Sequence, residues 1–427
     1  MAMTSACIGW GSGMIKKRWH IYILLFCLNL GVASQANSSG WVIDRDKKPD
    51  SPLLREDKAI AKLTEEDKAY QAIALAHKKA TAAYQREIRK HWPSAEISGK
   101  TRWVAYSDDW TSKRVVDFKQ NHIEISVENK FLNSRIDFAS LSKIVQSDLE
   151  VVLATTVNNA LAADPVQKAI DKAVQKYAKT IPKSDSLNGL VLAGLFKNKS
   201  PTAKDIKKKA RMLLKNASIR YQVLSASLAA LPKKTNKKIT YSIPLHGDRM
   251  RKKVREYAPI VKKNAERFDL STDVVMAIIH TESHFNPLAR SGVPAFGLMQ
   301  IVPGTAGRDA ARKLYKKPHL LSARYLYDPT RNIEVGAAYL NVLYYSYLRG
   351  IKNPESRLYY TIAAYNAGAS NSAKAFINKA SLRQALPVIN KMTPAQVLKA
   401  LTTKLPKLEN REYVSKVLKR RNFYKRV

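Results

Sequence analysis

The spacing of apolar residues predicts a long helix after an initial polar stretch. Apolar side chains recur three or four residues apart at Ile73, Ala76, Ala80, Tyr84 and Ile88. Thr64 is suited to cap this helix, because three acidic residues follow it in the first turn, where the helix dipole favours negative charge. Pro93 is expected to end it.

Alternation of apolar and polar residues predicts strands in two places. Residues 115–118 lead through a polar turn to residues 123–127, a pattern typical of a short strand pair. Residues 239–245 alternate in the same way and predict a further strand. Between these strands, helical spacing runs through 138–179, and a basic stretch beginning at Lys204 opens a helix expected to end near Leu231.

Helical spacing dominates the chain after residue 245. Helices are predicted at 250–268, from 272 onwards, and at 335–348, 358–365, 394–402 and 409–420. The fold class is therefore predicted to be α+β, with a mixed α/β N-terminal domain at 37–245 and a mainly helical domain at 246–427.

Residues 1–36 have the pattern of a cleaved signal peptide. A basic segment at 16–18 precedes an apolar run at 21–33, and a small-x-small cleavage site follows at 34–36. The apolar run is too short to span a bilayer comfortably. Both cysteines, Cys7 and Cys27, lie in this leader, so neither a disulfide framework nor a thiol site is expected in the mature chain.

The net charge says more about the binding partner than the overall composition does. A hydrophobic content of 45% describes a soluble globular protein, but the formal net charge of +40 favours an anionic partner. Nucleic acid, anionic lipid headgroups and a carboxylate-rich polymer such as peptidoglycan all fit, and export argues against nucleic acid. Phe26 before Cys27 is wrong for lipidation, so we expect a periplasmic protein, either free or peripheral on the outer membrane.

Glu282 is the residue with the clearest chemical potential. It lies four residues past Ile278 and seven past Val275, so a carboxyl group falls on an apolar helical stripe near the helix end at Asn286-Pro287. Burial and the negative end of the helix dipole both raise the pKa of a carboxyl group, which suits a general acid for glycosidic bonds. A structural ion pair with a lysine or arginine explains the same position equally well.

His280 and His284 flank Glu282 at i, i+4 spacing, which superficially resembles a zinc-binding helix. The zinc signature places the glutamate directly after the first histidine, whereas here the order is H-x-E-x-H. We therefore interpret the two histidines as exposed or incidental, and we predict no metal or cofactor.

Two short segments offer polar groups suited to a sugar. Gly297 permits a close backbone approach to a ligand, and Gln300 offers both a donor and an acceptor. Tyr365 and Asn366 place a phenol and an amide at a helix end before Gly368. Each segment alone is equally consistent with an ordinary turn or cap.

Together, four sets of residues resemble the lytic transglycosylases of the SLT, goose-lysozyme-like type. They are Glu282-Ser283 with Phe285-Asn286-Pro287, Gly297-Leu298-Met299-Gln300, Ala364-Tyr365-Asn366-Ala367-Gly368, and Glu409-Asn410-Arg411-Glu412-Tyr413-Val414. Residues 114–118, 243–245 and 332–336 are similar to one membrane-bound member of that family. The likeness is strong over 250–427 and looser from 103 to 249.

The resemblance implies a lysozyme-like catalytic domain, a lyase that cleaves the MurNAc–GlcNAc β-1,4 bond of peptidoglycan without water. Glu282 would protonate the leaving oxygen and then accept the proton of the muramic C6 hydroxyl, which yields a 1,6-anhydro end. The substrate's N-acetyl group would support the cationic centre, so one carboxylate suffices where most glycosidases need two. The same analogy implies a cleft lined by Ser291, Gly297, Met299, Gln300, Tyr365, Asn366 and Tyr413.

Two other functions stay open. A hydrolytic muramidase of the same fold would need a second carboxylate, and Asp309, Asp328 and Glu334 are available without lying in a recognised motif. An inactive cationic peptidoglycan-binding protein would need none. The expected partners are peptidoglycan glycan strands and an anionic membrane or envelope surface, and no nucleic acid.

Overall fold

The first described element of the computed structural model is a 27-residue helix, α1 (Glu65–His91). The structure describes residues 64–129, 138–180, 187–198, 200–222, 237–245, 249–316 and 319–425, so the predicted signal peptide lies outside it. The Thr64 hydroxyl accepts the Asp67 N–H at 3.2 Å and the Asp67 carboxylate accepts the Thr64 N–H at 3.2 Å, a reciprocal cap. The predicted cap and helix end are both confirmed.

Five antiparallel strands form one sheet in the order β1-β2-β3-β5-β4. The strands are β1 Arg102–Tyr106, β2 Ser112–Asp117, β3 His122–Asn129, β4 Ser218–Gln222 and β5 Lys237–Pro244. The predicted strand pair is the β2–β3 hairpin, in which Val116 pairs with Ile123. Ile123 pairs in turn with Ile243 of β5, and all three side chains are fully buried.

Four further helices belong to this N-terminal region: α2 (Phe138–Ala154), α3 (Val157–Ala163), α4 (Pro165–Val174) and α5 (Ala203–Leu214). The α2 helix packs against β2 and β3, and α4 packs against α1. The predicted helical stretch at 138–179 is broken twice. Thr156 accepts the Asn159 N–H at 3.1 Å and starts α3, and Asp164 caps α4 ahead of Pro165.

One prediction in this region is wrong. The helix expected to run from Lys204 to near Leu231 ends at Leu214, and Ser218–Gln222 form the edge strand β4 instead. This strand exists because it pairs with β5, where Ile219 lies opposite Tyr241. Its Ile219 side chain is exposed, so no burial pattern marks the strand in the sequence.

The remainder of the described chain is helical, and the predicted α+β class is confirmed. Its helices are α6 Arg249–Arg267, α7 Thr272–Ser283, α8 Arg308–Tyr315, α9 Ala323–Tyr327, α10 Pro329–Asn341, α11 Pro354–Ala367, α12 Ala369–Ser372, α13 Lys374–Ile377, α14 Leu382–Ile389, α15 Pro394–Thr403 and α16 Leu408–Tyr424. Helix α7 packs against both α6 and α16. Within the described ranges, no helix combines the length and apolar composition needed to cross a bilayer.

A buried arginine connects the sheet to the helical region. Arg249, at the start of α6, donates to the Asn121 side chain at 2.5 Å and to the Phe118 carbonyl at 2.8 Å. Asn121 also donates to the Leu245 carbonyl at 2.9 Å. The boundary proposed between residues 245 and 246 therefore falls within a hydrogen-bonded junction, and the division into domains stays a prediction.

Candidate active site

Glu282 lies in the last turn of α7, on a helix that is buried along nearly its whole length. Its exposed fraction is only 4%, since α7 is enclosed by α6 and α16. The helix ends directly afterwards, because His284 and Phe285 both adopt positive φ, at 50° and 60°. The expected position of a carboxyl group at a buried helix end is therefore what the structure shows.

Asn286 fixes the segment that follows. Its side-chain oxygen accepts the Leu288 N–H at 3.0 Å, and its amide group donates to the Lys100 carbonyl at 3.2 Å. The Arg290 N–H also donates to the Gly99 carbonyl at 3.4 Å. Residues from the loop before β1 are thus attached to the end of the Glu282 helix.

Lys100 is the site residue that sequence reasoning missed. Its ammonium nitrogen lies 3.4 Å from the Glu282 carboxyl, and the two residues are 182 positions apart in the chain. Because its local sequence matches no catalytic motif, only the fold reveals this contact. Both of the hypotheses for Glu282 are therefore partly realised: the carboxyl group is buried, and a lysine lies beside it.

Burial raises the pKa of the Glu282 carboxyl above its ordinary value, and the nearby charge of Lys100 opposes that rise only in part. Tyr413 also lowers this pKa, whereas the exposed Glu409 raises it. The protonated form of Glu282 consequently persists to higher pH than in a solvent-exposed glutamate. This is the state required of a group that donates a proton to a glycosidic oxygen.

Two tyrosines lie in the electrostatic field of Glu282: Tyr413 on α16 is buried, and Tyr365 on α11 is partly buried. Burial, followed by the Glu282 charge, raises the pKa of both phenols well above the ordinary value, so both stay protonated. Tyr365 donates to the Met299 carbonyl at 2.8 Å. The Tyr413 hydroxyl stabilises the charged form of Glu282 but has no acceptor in hydrogen-bonding geometry.

Gly297 adopts φ of +74°, and its backbone packs closely against other residues of the protein. A Cβ atom there would lie 2.1 Å from the Leu326 carbonyl oxygen and 2.4 Å from the Asn332 amide nitrogen. The requirement for glycine therefore comes from packing inside the domain, and a contact with a ligand stays a prediction.

Asn332 is a second residue that sequence reasoning did not assign to the site. Its side-chain oxygen accepts the Met299 N–H at 2.7 Å. Its amide group donates to the Phe296 and Leu326 carbonyls at 2.9 and 2.6 Å. One fully buried side chain on α10 thereby fixes the path of residues 296–299.

The remaining predicted residues differ in what they can offer a ligand. Met299 is fully buried, and its sulfur packs against Gly336. Gln300 donates to the Ala289 and Gly297 carbonyls, both at 3.0 Å, which leaves its buried side-chain oxygen without a partner. Ser291 is half-buried, and its hydroxyl donates to the Val293 carbonyl in an exposed turn.

Three buried polar atoms on predicted site residues lack a hydrogen-bond partner: Gln300 Oε1, Asn366 Oδ1 and the Tyr413 hydroxyl. Buried polar atoms are normally paired, so each of these groups is available to a bound molecule. The structure brings Glu282, Tyr413 and Tyr365 together directly, and Tyr365 connects them to Met299. Among the described residues, no hydrogen bond or ion pair joins the side chain of Ser291 or Asn366 to this group.

The two histidines contact α16 and are half-buried, which corrects their interpretation as exposed. His280 Nδ1 lies 2.9 Å from the Tyr424 hydroxyl, and His284 Nε2 lies 3.0 Å from Arg420. Burial and then the Arg420 charge lower the pKa of His280 to about 3 and of His284 to about 4. Within the described ranges, no cluster of three or more His, Cys, Asp or Glu side chains is arranged to bind a metal.

A separate open groove, of about 420 Å³, lies at the other end of α7. Apolar residues such as Leu270, Val274 and Leu358 line it together with Arg421. None of the predicted site residues contributes to it, so the groove and the surroundings of Glu282 are different places.

Comparison with known proteins finds a family match within the helical region. The family profile described as Transglycosylase SLT domain matches residues 259–386. The helical region is therefore similar to the transglycosylase SLT domain. The matched residues include Glu282, Ser291, residues 297–300, Tyr365 and Asn366, whereas Lys100 and Tyr413 lie outside the matched range.

The predicted resemblance to lytic transglycosylases is confirmed by curated relatives. The chain is 42% identical over 184 residues to membrane-bound lytic murein transglycosylase C of Yersinia enterocolitica, which covers 43% of this chain and 50% of that protein. It is 42% identical over 176 residues to the protein of the same name from Haemophilus influenzae, covering 41% and 48%. The chain thus spans about half the length of the curated relatives it matches.

Solved structures similar to the chain come from lytic transglycosylases. An inactive mutant of the lytic transglycosylase Slt from Pseudomonas aeruginosa is 30% identical, with a TM-score of 0.31 and coverage of 39% of this chain and 24% of that one. The 70 kDa soluble lytic transglycosylase from Escherichia coli is 18% identical, with a TM-score of 0.32 and coverage of 89% and 54%.

Proposed function

We propose that the protein is a peptidoglycan lytic transglycosylase, a carbon–oxygen lyase that cleaves the MurNAc–GlcNAc β-1,4 bond and leaves 1,6-anhydromuramoyl ends. The observation that carries this proposal is Glu282, a buried carboxyl group of raised pKa within the residues that match the SLT domain, beside the tyrosines Tyr365 and Tyr413. The names of the relatives support the same activity, since they are lytic murein transglycosylases.

In the proposed reaction one carboxyl group performs both proton transfers. Glu282 donates its proton to the glycosidic oxygen as the bond to C1 of MurNAc breaks, and the N-acetyl oxygen of that sugar bonds to C1. The Glu282 carboxylate then takes the proton of the C6 hydroxyl, O6 bonds to C1, and the N-acetyl group is released intact. Glu282 ends protonated as it began, and no water is consumed.

The carboxylates considered for a hydrolytic mechanism are engaged elsewhere. Asp309 accepts the Tyr347 hydroxyl at 2.8 Å, Asp328 caps α10 through the Arg331 N–H at 3.0 Å, and Glu334 pairs with Arg267 at 2.6 Å. These contacts support the non-hydrolytic reaction. Glu409 is the carboxylate whose charge reaches Glu282, so it would be the residue to activate water if hydrolysis occurred.

Substrate binding is assigned to the residues that retain free polar groups. Gln300, Asn366 and Tyr413 each present an unpaired buried atom, which suits the acetamido and hydroxyl groups of amino sugars. Ser291, Gly297, Met299 and Tyr365 complete the proposed lining.

The proposed location is the cell envelope. A net charge of +40 favours attachment to the carboxylate-rich wall and to anionic membrane surfaces, and the leader pattern favours export to the periplasm. Salt-dependent release of the protein from envelope fractions would support the electrostatic attachment, and release by pure water alone would contradict it.

The decisive experiment is analysis of the products from purified sacculi. The full-length protein is expected to release muropeptides with 1,6-anhydro ends, which mass spectrometry separates from reducing ends because they are lighter by one water. Glu282→Gln should lower the rate by about 10²–10⁴-fold, because the amide cannot transfer the proton. Glu266→Gln, an exposed change of the same kind, is the matched control and should leave the rate unchanged.

Each other result selects a different function. Reducing ends in place of anhydro ends would indicate a hydrolytic muramidase. Binding of wild-type protein to sacculi without any cleavage would indicate a cationic wall-binding protein. Equal clearing by wild type and Glu282→Gln would rule out catalysis by Glu282.

A further inference from the structure

Within the described residues, the N-terminal region contacts Glu282 through the loop before β1. The Gly99 N–H donates to the Arg102 carbonyl at 2.9 Å, and the Phe118 N–H donates to the Thr101 carbonyl at 2.8 Å. These bonds attach the loop to the sheet. On its other side, the loop carbonyls accept the Asn286 amide and the Arg290 N–H.

The side chain of Lys100 extends from this anchored loop to Glu282. The ammonium nitrogen lies 3.4 Å from Glu282 Oε2, and the exposed fractions of the two side chains are 38% and 5%. The cation is therefore accessible to solvent while the carboxyl group is enclosed. Such a lysine can stabilise the carboxylate without being fully buried itself.

We propose that Lys100 is a positioning residue of the active site, whose ammonium group orients Glu282 and stabilises its carboxylate during the second proton transfer. This inference rests on the proposed function. It gives the N-terminal region a part in the reaction, since the loop lies outside the residues matched by the SLT domain.

The groups around Glu282 explain why a nearby cation would stabilise its carboxylate form. From α16, Glu409 raises the pKa of Glu282 and Tyr413 lowers it, and Tyr365 of α11 faces the same carboxyl group. Burial is the largest influence and favours the protonated donor. The proposed reaction also needs the carboxylate as an acceptor, and Lys100 is the positive group that lowers the free energy of that form.

The test is the pH dependence of sacculus cleavage by full-length variants, measured as release of anhydro ends. Wild-type activity should fall on the alkaline side as Glu282 loses its donor proton. Lys100→Met removes the cation and raises the pKa of Glu282. The alkaline limb of the pH–rate profile should therefore move to higher pH, and the maximal rate should fall. Lys100→Arg retains the charge and should keep the limb close to that of wild type.

Lys207→Met is the matched control, because Lys207 is an exposed lysine on α5 in the same region. It should leave both the limb and the rate unchanged. An alkaline limb of Lys100→Met that coincides with wild type would overturn the inference, even if the rate fell, because a purely structural residue lowers rate without moving a limb. If Lys100→Met fails to fold, Lys100→Gln provides the same comparison.

Failure of the inference can be told apart from failure of the proposed function. If Glu282→Gln remains active, or if no anhydro ends form, the proposed function is wrong. If Glu282→Gln is inactive and the limb of Lys100→Met does not move, only the role of Lys100 is wrong.

Discussion

The helical region and the N-terminal region contribute to the same site in different ways. The helical region supplies Glu282 and holds residues 296–299 through the hydrogen bonds of Asn332 and Tyr365. The N-terminal region supplies one loop and one half-exposed lysine. The difference teaches that the surroundings of Glu282 extend beyond the residues that match the SLT domain.

The largest effect on stability is expected from Gly297→Ala in the helical region. The new Cβ would collide with the Leu326 carbonyl at a residue of positive φ, so the free energy of unfolding should fall by about 2–5 kcal/mol. Gly292→Ala is the matched control, because nothing lies within 4 Å of a Cβ there. Chemical denaturation measures both, and equal stability of the two variants would contradict the packing role of Gly297.

The two tyrosines near Glu282 should respond differently to loss of the hydroxyl. Tyr365→Phe leaves the Met299 carbonyl without its donor and should destabilise the protein by about 1–2 kcal/mol. Tyr413→Phe removes a hydroxyl that has no acceptor in hydrogen-bonding geometry, and at a pH where Glu282 is protonated it should change stability by less than about 0.5 kcal/mol. Thermal or denaturant unfolding of the two variants measures this difference. Equal losses of stability would contradict the distinction between Tyr365 and Tyr413.

Tyr413→Phe should instead change the pH dependence of activity. The hydroxyl lowers the pKa of Glu282, so its removal should raise that pKa further. Because the donor form is lost as pH rises through this pKa, the alkaline limb should extend to higher pH. A limb that moves to lower pH would contradict the assigned geometry.

A small effect on stability, and none on activity, is expected where α1 meets the helical region. Arg308 pairs with Asp67 at 2.6 Å in a partly exposed position, and Arg308→Met should cost about 0–1 kcal/mol of stability. The activity on sacculi should not change. A large loss of activity would show that the N-terminal region acts through more than the Lys100 loop.

Sequence patterns predicted most helices and the position of Glu282 because those features are local. Periodicity places Glu282 on an apolar stripe, and the turn at Asn286-Pro287 places it at a helix end, so its burial followed. The Thr64 cap and the β2–β3 hairpin were predictable for the same reason.

The features that sequence patterns did not predict depend on contacts between residues that are far apart in the chain. The strand β4 is an exposed edge that forms by pairing with β5, so its own residues carry no burial pattern. Lys100 resembles many other lysines until the fold brings it to Glu282. Asn332 lies within a segment that resembles the family, but its hydrogen bonds to Met299, Phe296 and Leu326 could be found only from the structure.

Cleavage of sacculi in water enriched in a heavy oxygen isotope tests the central claim most directly. If Glu282 alone transfers both protons and the C6 hydroxyl closes the ring, muramoyl ends should be anhydro and should carry no solvent oxygen. Reducing muramoyl ends that contain the heavy isotope would show that water attacks C1, and the single-carboxylate account would be contradicted.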